Sequence, residues 1–217
     1  MPRDNIADMY PEEVSVYQKR TLYLLQKHLT PRDLRQTFDK YYHKAVALRQ
    51  KYSAQIRLLI GFETEYIRPE SIDSVLSLEQ TYEFDYCVGS IHHVRGIPID
   101  YNFELWDKAR QACGGSDEML FATYFEEQYE LLRHIKPLII GHFDVIRLWA
   151  PDKMVVLRQW PSVWQKILRN IDEVIKYGGL FELNSAAFRK GFLEAYPTSE
   201  IATVFLFCCT TDKLDNS

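Results

Sequence analysis

Four short apolar runs punctuate the chain, and each ends in a side chain capable of chemistry. Residues 58–66 read LLIGFETEY, four apolar positions around Gly61 followed by Glu63 and Glu65. Residues 86–93, YCVGSIHH, and 138–144, LIIGHFD, are each apolar, then Gly, then His. Residues 179–184, GLFELN, end in Glu and Asn. Runs this short and this continuously apolar predict strands buried on both faces, the habit of parallel sheets.

Helical patterns fill the intervals. Residues 11–29 open with proline and two acids, as a first helical turn prefers, and Thr30-Pro31 opens a second amphipathic stretch over 33–52. Further helices are predicted over 69–78, 117–134 and 160–177, the last with Pro161 in its first turn and Gly178-Gly179 as its stop. Gly and Pro punctuation makes 93–100 a loop. After Ser199 a helix leading into another strand is expected, with the apolar run 204–209 as the strand candidate. Strand then helix, repeated, predicts an α/β fold. In such folds functional groups gather at strand C-termini, so Glu63, His92 and His142 are expected on one rim.

Composition narrows the function classes. At 217 residues and 47% hydrophobic content the chain is expected to form one domain. Its 26 basic and 30 acidic residues are mixed along the chain, which offers no basic face to a nucleic acid. No apolar run approaches the ~20 residues a membrane helix needs, so no membrane partner is expected. Cys87, Cys113, Cys208 and Cys209 form no CxxC spacing and are expected as inert free thiols in a reducing, cytoplasmic setting. His28 and His43 are expected on helix surfaces, and His134 at a helix C-terminus, where a cation suits the dipole.

Glu63, His92 and His142 supply one oxygen and two imidazoles, a donor set suited to zinc, manganese or iron. Divalent ions so held would lower the pKa of a water toward neutrality for attack on phosphorus or a carbonyl carbon. Arg189 and Lys190 follow the fourth run, where a guanidinium fork would match a phosphate, and Arg3 is a second candidate. On pattern alone, packing histidines and solvated surface arginines stay open as readings.

GFETEY, VGSIHHVRGIPIDY, KPLIIGHFD and the ELNSAAFRK segment with its following YP resemble the monofunctional histidinol-phosphate phosphatases of the PHP (polymerase and histidinol phosphatase) family, fungal type, over residues 1–200. The resemblance implies a distorted seven-stranded α/β barrel holding a multinuclear metal cluster. It also implies hydrolysis of a small phosphomonoester, L-histidinol phosphate, in histidine biosynthesis. By motif it makes Glu63 a bridging metal ligand, His92 and His142 metal ligands, and Arg189 a phosphate ligand assisted by Arg3. Family members also carry an HxH motif and a Glu-His pair ahead of the Pro-Arg loop, and an Asp-x-His motif on the last strand. None of these is found here. The expectation is therefore an incomplete TIM-like PHP barrel lacking its first and last strands, one domain over 1–217 with a divergent tail from 200, and little or no activity in this chain. An inactive PHP-like fragment and a PHP phosphoesterase of different substrate are the alternatives; oligomeric state is left open.

Overall fold

The computed structural model describes residues 31–211. The helix expected over 11–29, Arg3 and His28 lie outside the described residues, as do the side chains of Cys208 and Cys209. Four parallel strands, β1 (Gly61–Glu65), β2 (Tyr86–Ser90), β5 (Ile139–Ile140) and β6 (Leu180–Phe181), form one sheet in the order β1-β2-β5-β6. They fall within the four apolar runs. Register pairs Glu63 with Val88, Val88 with Ile139 and Ile139 with Leu180, which brings the C-terminal strand ends to one edge of the sheet. Among the described residues β1 and β6 are each paired on one side only.

Each helix follows from its sequence. α1 (Pro31–Lys51) and α2 (Glu70–Thr81) flank β1 in the chain. Phe38 of α1 meets Phe62 edge-on at 6.0 Å, and the Tyr41 hydroxyl donates to the Gly61 carbonyl at 2.5 Å. α4 (Asp117–Ile135) is capped by the Ser116 side chain, which accepts from Met119 N. It buries Leu120, Tyr124, Gln128 and Leu131 together with Phe121, Phe125 and Leu132, a wide apolar face that lies between neighbours. α5 (Pro161–Tyr177) buries Val163, Ile167, Ile171 and Val174 at helical spacing against α4. Gly178 ends it at φ 77°, a left-handed conformation that glycine adopts without a Cβ clash.

Three elements depart from the expectation. Residues 93–100 are not a loop but a hairpin of β3 (His93–Val94) and β4 (Ile97–Pro98), turned by Arg95 and Gly96 at φ 54° and 71°. Two consecutive positive φ values give the turn a twist that matches paired strands. α3 (Phe103–Ala112) was not read from the sequence, although its cap was legible: Asn102 accepts from Leu105 N, and Trp106 and Ala109 turn inward. Residues 204–209 are not a strand. They continue α7 (Ser199–Thr211), with Ile201 and Phe205 buried one turn apart and Phe205 stacked 3.5 Å from Phe181. Burial on the sheet through a helical face competes directly with strand pairing, and here it prevails. Between β6 and α7 the chain forms the short α6 (Ala186–Arg189), closed by a turn at Gly191.

Candidate metal centre

The pleat of β1 buries Phe62 and Thr64 and leaves Glu63 between them half-buried, facing the other way. His92 stands two residues beyond β2. The hairpin folds back over it, Ile99 N–H donating to the His92 carbonyl at 2.9 Å. His142 stands two residues beyond β5. Parallel register therefore delivers one carboxylate and two imidazoles to one place.

The three side chains do converge. His92 Nε2 and His142 Nε2 are 3.0 Å apart, and Glu63 Oε1 is 3.7 Å from the first and 3.8 Å from the second. Two donors on one ion at about 2.1 Å and a tetrahedral angle sit about 3.4 Å from each other, so these three edges have the dimensions of one face of a coordination shell. The donor set fits a divalent cation without a thiolate.

A single cation-free alternative would have one imidazole donate to the other. That contact uses only one pair of atoms; His142 Nδ1 is buried with no hydrogen-bond partner among the described residues, whether or not Nε2 meets a cation. Burial, reinforced by the adjacent His92 ring, holds the His142 imidazole well below its ordinary pKa, while Glu63, Asp100 and Glu182 oppose that shift. Its ring is neutral at pH 7, the form with a lone pair to offer a cation.

The loop that carries His142 is suspended from four other parts of the chain. Glu182, just past β6, accepts from His142 N at 2.8 Å. Tyr124 and Gln128 of α4 both donate to the Phe143 carbonyl, at 3.0 and 2.9 Å, and Gln128 is itself held by Asn170. Trp106 of α3 donates to the Ile146 carbonyl at 2.8 Å. Asp144 pairs with Arg147 at 2.8 Å and accepts from Thr198 N at 3.0 Å; Arg147 in turn donates to the Ala195 carbonyl. Burial raises the Asp144 carboxyl above its ordinary pKa, with the Arg147 guanidinium and the Thr198 N–H acting against it.

Of the other sequence candidates, Arg189 is exposed at the end of α6, and Arg3 lies outside the described residues. Asn184, the second polar end of the fourth run, is structural: it accepts from Ala186 N and pairs through its backbone with Tyr196. His43 is exposed, and His134 is exposed beside Glu130 at the C-terminal turn of α4. Cys87 and Cys113 are free and buried, and burial pushes both thiols above their ordinary pKa. Among the described residues no helix is long and apolar enough to cross a membrane. Sequence reasoning gave no role to Asp144, Arg147 or Glu182. An acid and an arginine three apart after the GH pair, and an acid ending the fourth apolar run, were the available signals.

Fold and site together define an α/β protein with a candidate divalent-metal centre at the C-terminal ends of parallel strands. Residues 14–186 match the PHP domain, and the chain belongs to that family. The Schizosaccharomyces pombe protein named "Probable histidinol-phosphatase" is 50% identical over 201 residues, covering 92% of this chain and 61% of that relative. The Saccharomyces cerevisiae protein named "Histidinol-phosphatase" is 29% identical over 230 residues, covering 94% of this chain and 67% of its own length. The chain thus spans about three fifths to two thirds of the length of these relatives. The solved structure of hisK from Listeria monocytogenes shares the fold, with a TM-score of 0.64 at 23% identity over 77% of this chain and 66% of that one.

Proposed function

We propose that this chain serves a metal-dependent histidinol-phosphatase, hydrolysing L-histidinol phosphate to L-histidinol and phosphate in histidine biosynthesis. The observation that carries the reading is the triangle of Glu63, His92 and His142, built on a PHP fold and found in a chain half identical to a relative bearing that name. The four parallel strands are then part of a distorted PHP barrel. A reducing cytoplasm suits its buried free thiols.

In this reading Glu63, His92 and His142 hold divalent ions, with zinc, manganese and iron all compatible with the donors. Such ions, when bound, supply Lewis acidity to a phosphoryl oxygen and acidify a water at neutral pH. The protein's own part is positional. The carboxylate of Glu63 adds negative charge between the two imidazole rings, and the buried loop behind His142 keeps its imidazole from turning away. Arg189, on the segment after β6, is the candidate phosphate fork, because a guanidinium offers two parallel N–H groups to a monoester dianion. Arg3 is the second candidate for the same role.

The test is phosphate release from L-histidinol phosphate by the purified chain supplied in turn with zinc, manganese and iron. Weak release is expected, dependent on metal and abolished by chelation, with Arg189→Ala raising KM at least tenfold while leaving metal content unchanged. Stoichiometric metal uptake without release would favour a metal-holding PHP fragment instead. Native kinetics in the Arg189 variant would return that residue to the surface.

A further inference from the structure

Glu182 is the acid that ends the fourth apolar run, and it is not one of the three converging ligands. Its backbone continues the sheet, Glu182 N–H donating to the Ile140 carbonyl at 2.9 Å, so the sheet's register fixes where its side chain begins. The carboxylate crosses to the neighbouring strand end and accepts from His142 N at 2.8 Å.

His142 needs such a partner. Its φ of 20° lies at the edge of the left-handed region, where a Cβ crowds the backbone. A conformation of that kind costs on the order of 1–3 kcal/mol and persists only where its surroundings over-determine it. Both sides of the residue are held: Glu182 takes the N–H, and Val145 N–H donates to the His142 carbonyl at 2.9 Å. Gly141 leaves room for this, since a Cβ there would stand 2.4 Å from Ser90 Oγ and 3.7 Å from Glu182 Oε2. With the backbone fixed at both ends, the imidazole is directed at His92 and Glu63 rather than along the ordinary continuation of the strand.

We propose that Glu182 is a positioning residue: through its hydrogen bond to the His142 backbone N–H it holds His142 in the strained conformation that aims Nε2 at the metal centre. The proposal rests on the reading that Glu63, His92 and His142 hold a divalent ion. It separates the hydrogen bond from the charge, because a glutamine at this position keeps an acceptor of the same reach and an aspartate keeps the charge but falls short by one methylene.

The experiment uses the full chain and two variants, Glu182→Gln and Glu182→Asp, each checked for folding by far-UV circular dichroism. The first readout is the His142 amide in 1H–15N spectra of metal-free protein. It should move upfield in the aspartate variant as the bond is lost and keep most of its position in the glutamine variant. The second is Co(II) binding, followed by its visible absorption. Affinity should fall tenfold or more in the aspartate variant, the size of loss usual when a group supporting a metal ligand is removed, and stay within about threefold of native in the glutamine variant.

An unmoved amide in the aspartate variant would overturn the clamp whatever the metal does. A moved amide with native Co(II) affinity would overturn its bearing on the site. A loss of Co(II) affinity in the glutamine variant that the aspartate variant escapes would assign the effect to charge and overturn the hydrogen bond as its carrier. A native chain that takes up no Co(II) while the amides move as expected would remove the metal reading and leave the clamp supported.

Discussion

At the scale of single residues, the site depends on how closely β2 and β5 approach beyond their last paired positions. Gly141 N–H donates to the Gly89 carbonyl at 3.0 Å, and a Cβ on Gly141 would meet Ser90 Oγ at 2.4 Å and Val88 Cγ1 at 3.2 Å. Ser90 is buried, so its hydroxyl has little room to swing away. Gly141→Ala should therefore destabilise the protein by about 1–3 kcal/mol, the usual cost of forcing an extra carbon into a filled interior. Adding Ser90→Ala should recover most of that loss. Urea melts of the two singles and the double would read the coupling, and strictly additive effects would mean the strands part elsewhere. Glu63, His92 and His142 were legible before any coordinates because each closes a short apolar run, and strand pleat and parallel register leave the end of a strand little choice of position. Asp144 and Arg147 were not legible as a pair. An acid and an arginine three apart look the same on a solvated helix, and only burial separates the two cases.

At the scale of elements, the turn after β5 is an irregular segment held by distant parts of the chain. Arg147 is 1% exposed and lies over the rings of Phe192 and Tyr196, each 5.2 Å from its guanidinium carbon. It thus ties the segment ending at Thr198 to the loop bearing His142. Replacing it by methionine strands a fully buried carboxylate, and removing one partner of such a pair commonly costs about 3–5 kcal/mol. Arg147→Met should lower the urea midpoint accordingly. The Asp144→Asn, Arg147→Met double variant should be the more stable of the two, because the uncompensated charge is gone. The hairpin and α7 show where local pattern misleads at this scale. The Gly-Pro punctuation of 93–100 marks a turn without saying that both flanks pair, and the run 204–209 is apolar enough for either a strand or a helix. The contact that decides the second case, Phe205 on Phe181, joins residues far apart in the chain.

At the scale of the whole molecule, one acid sets a pH dependence. Glu127 on α4 accepts from Arg95 N in the β3–β4 turn, at 3.1 and 3.3 Å to its two oxygens. Burial nonetheless pushes its carboxyl up from 4.5 to about 7, against the pull of the Arg95 N–H and of the Arg95 and His93 charges. A carboxyl whose folded pKa exceeds its unfolded value favours folding in its protonated form. Its contribution is complete below about pH 4.5 and is lost as pH rises through about 7. Native protein should therefore lose about 1–3 kcal/mol more than Glu127→Gln between pH 5 and pH 8, the range allowing for partial solvent access. Thermal melts of both proteins across that interval would read the difference, and parallel curves would mean that Glu127 is ionised throughout. The parallel order of the sheet was within reach of the sequence, since alternating apolar runs and helices leave few ways to connect neighbouring strands. Which helix faces carry the polar supports of the site was not, because Tyr124, Gln128 and Trp106 sit at positions that apolar periodicity reads simply as core.

The suspension of the His142 loop also bears on how the protein comes into being. Its supports come from residues 106, 124, 128, 182 and 198, and the three converging side chains from 63, 92 and 142. Contacts this far apart in sequence form late, after loop-closure entropy has been overcome for several units at once. A chain emerging from the ribosome can therefore present Glu63 and His92 together early, yet His142 is not aimed at them until residue 182 has cleared the exit and β6 has docked. In the function proposed above, capture of an ion by Glu63, His92 and His142 would in this sense be a checkpoint on synthesis, open only to a chain whose β6 is already in place.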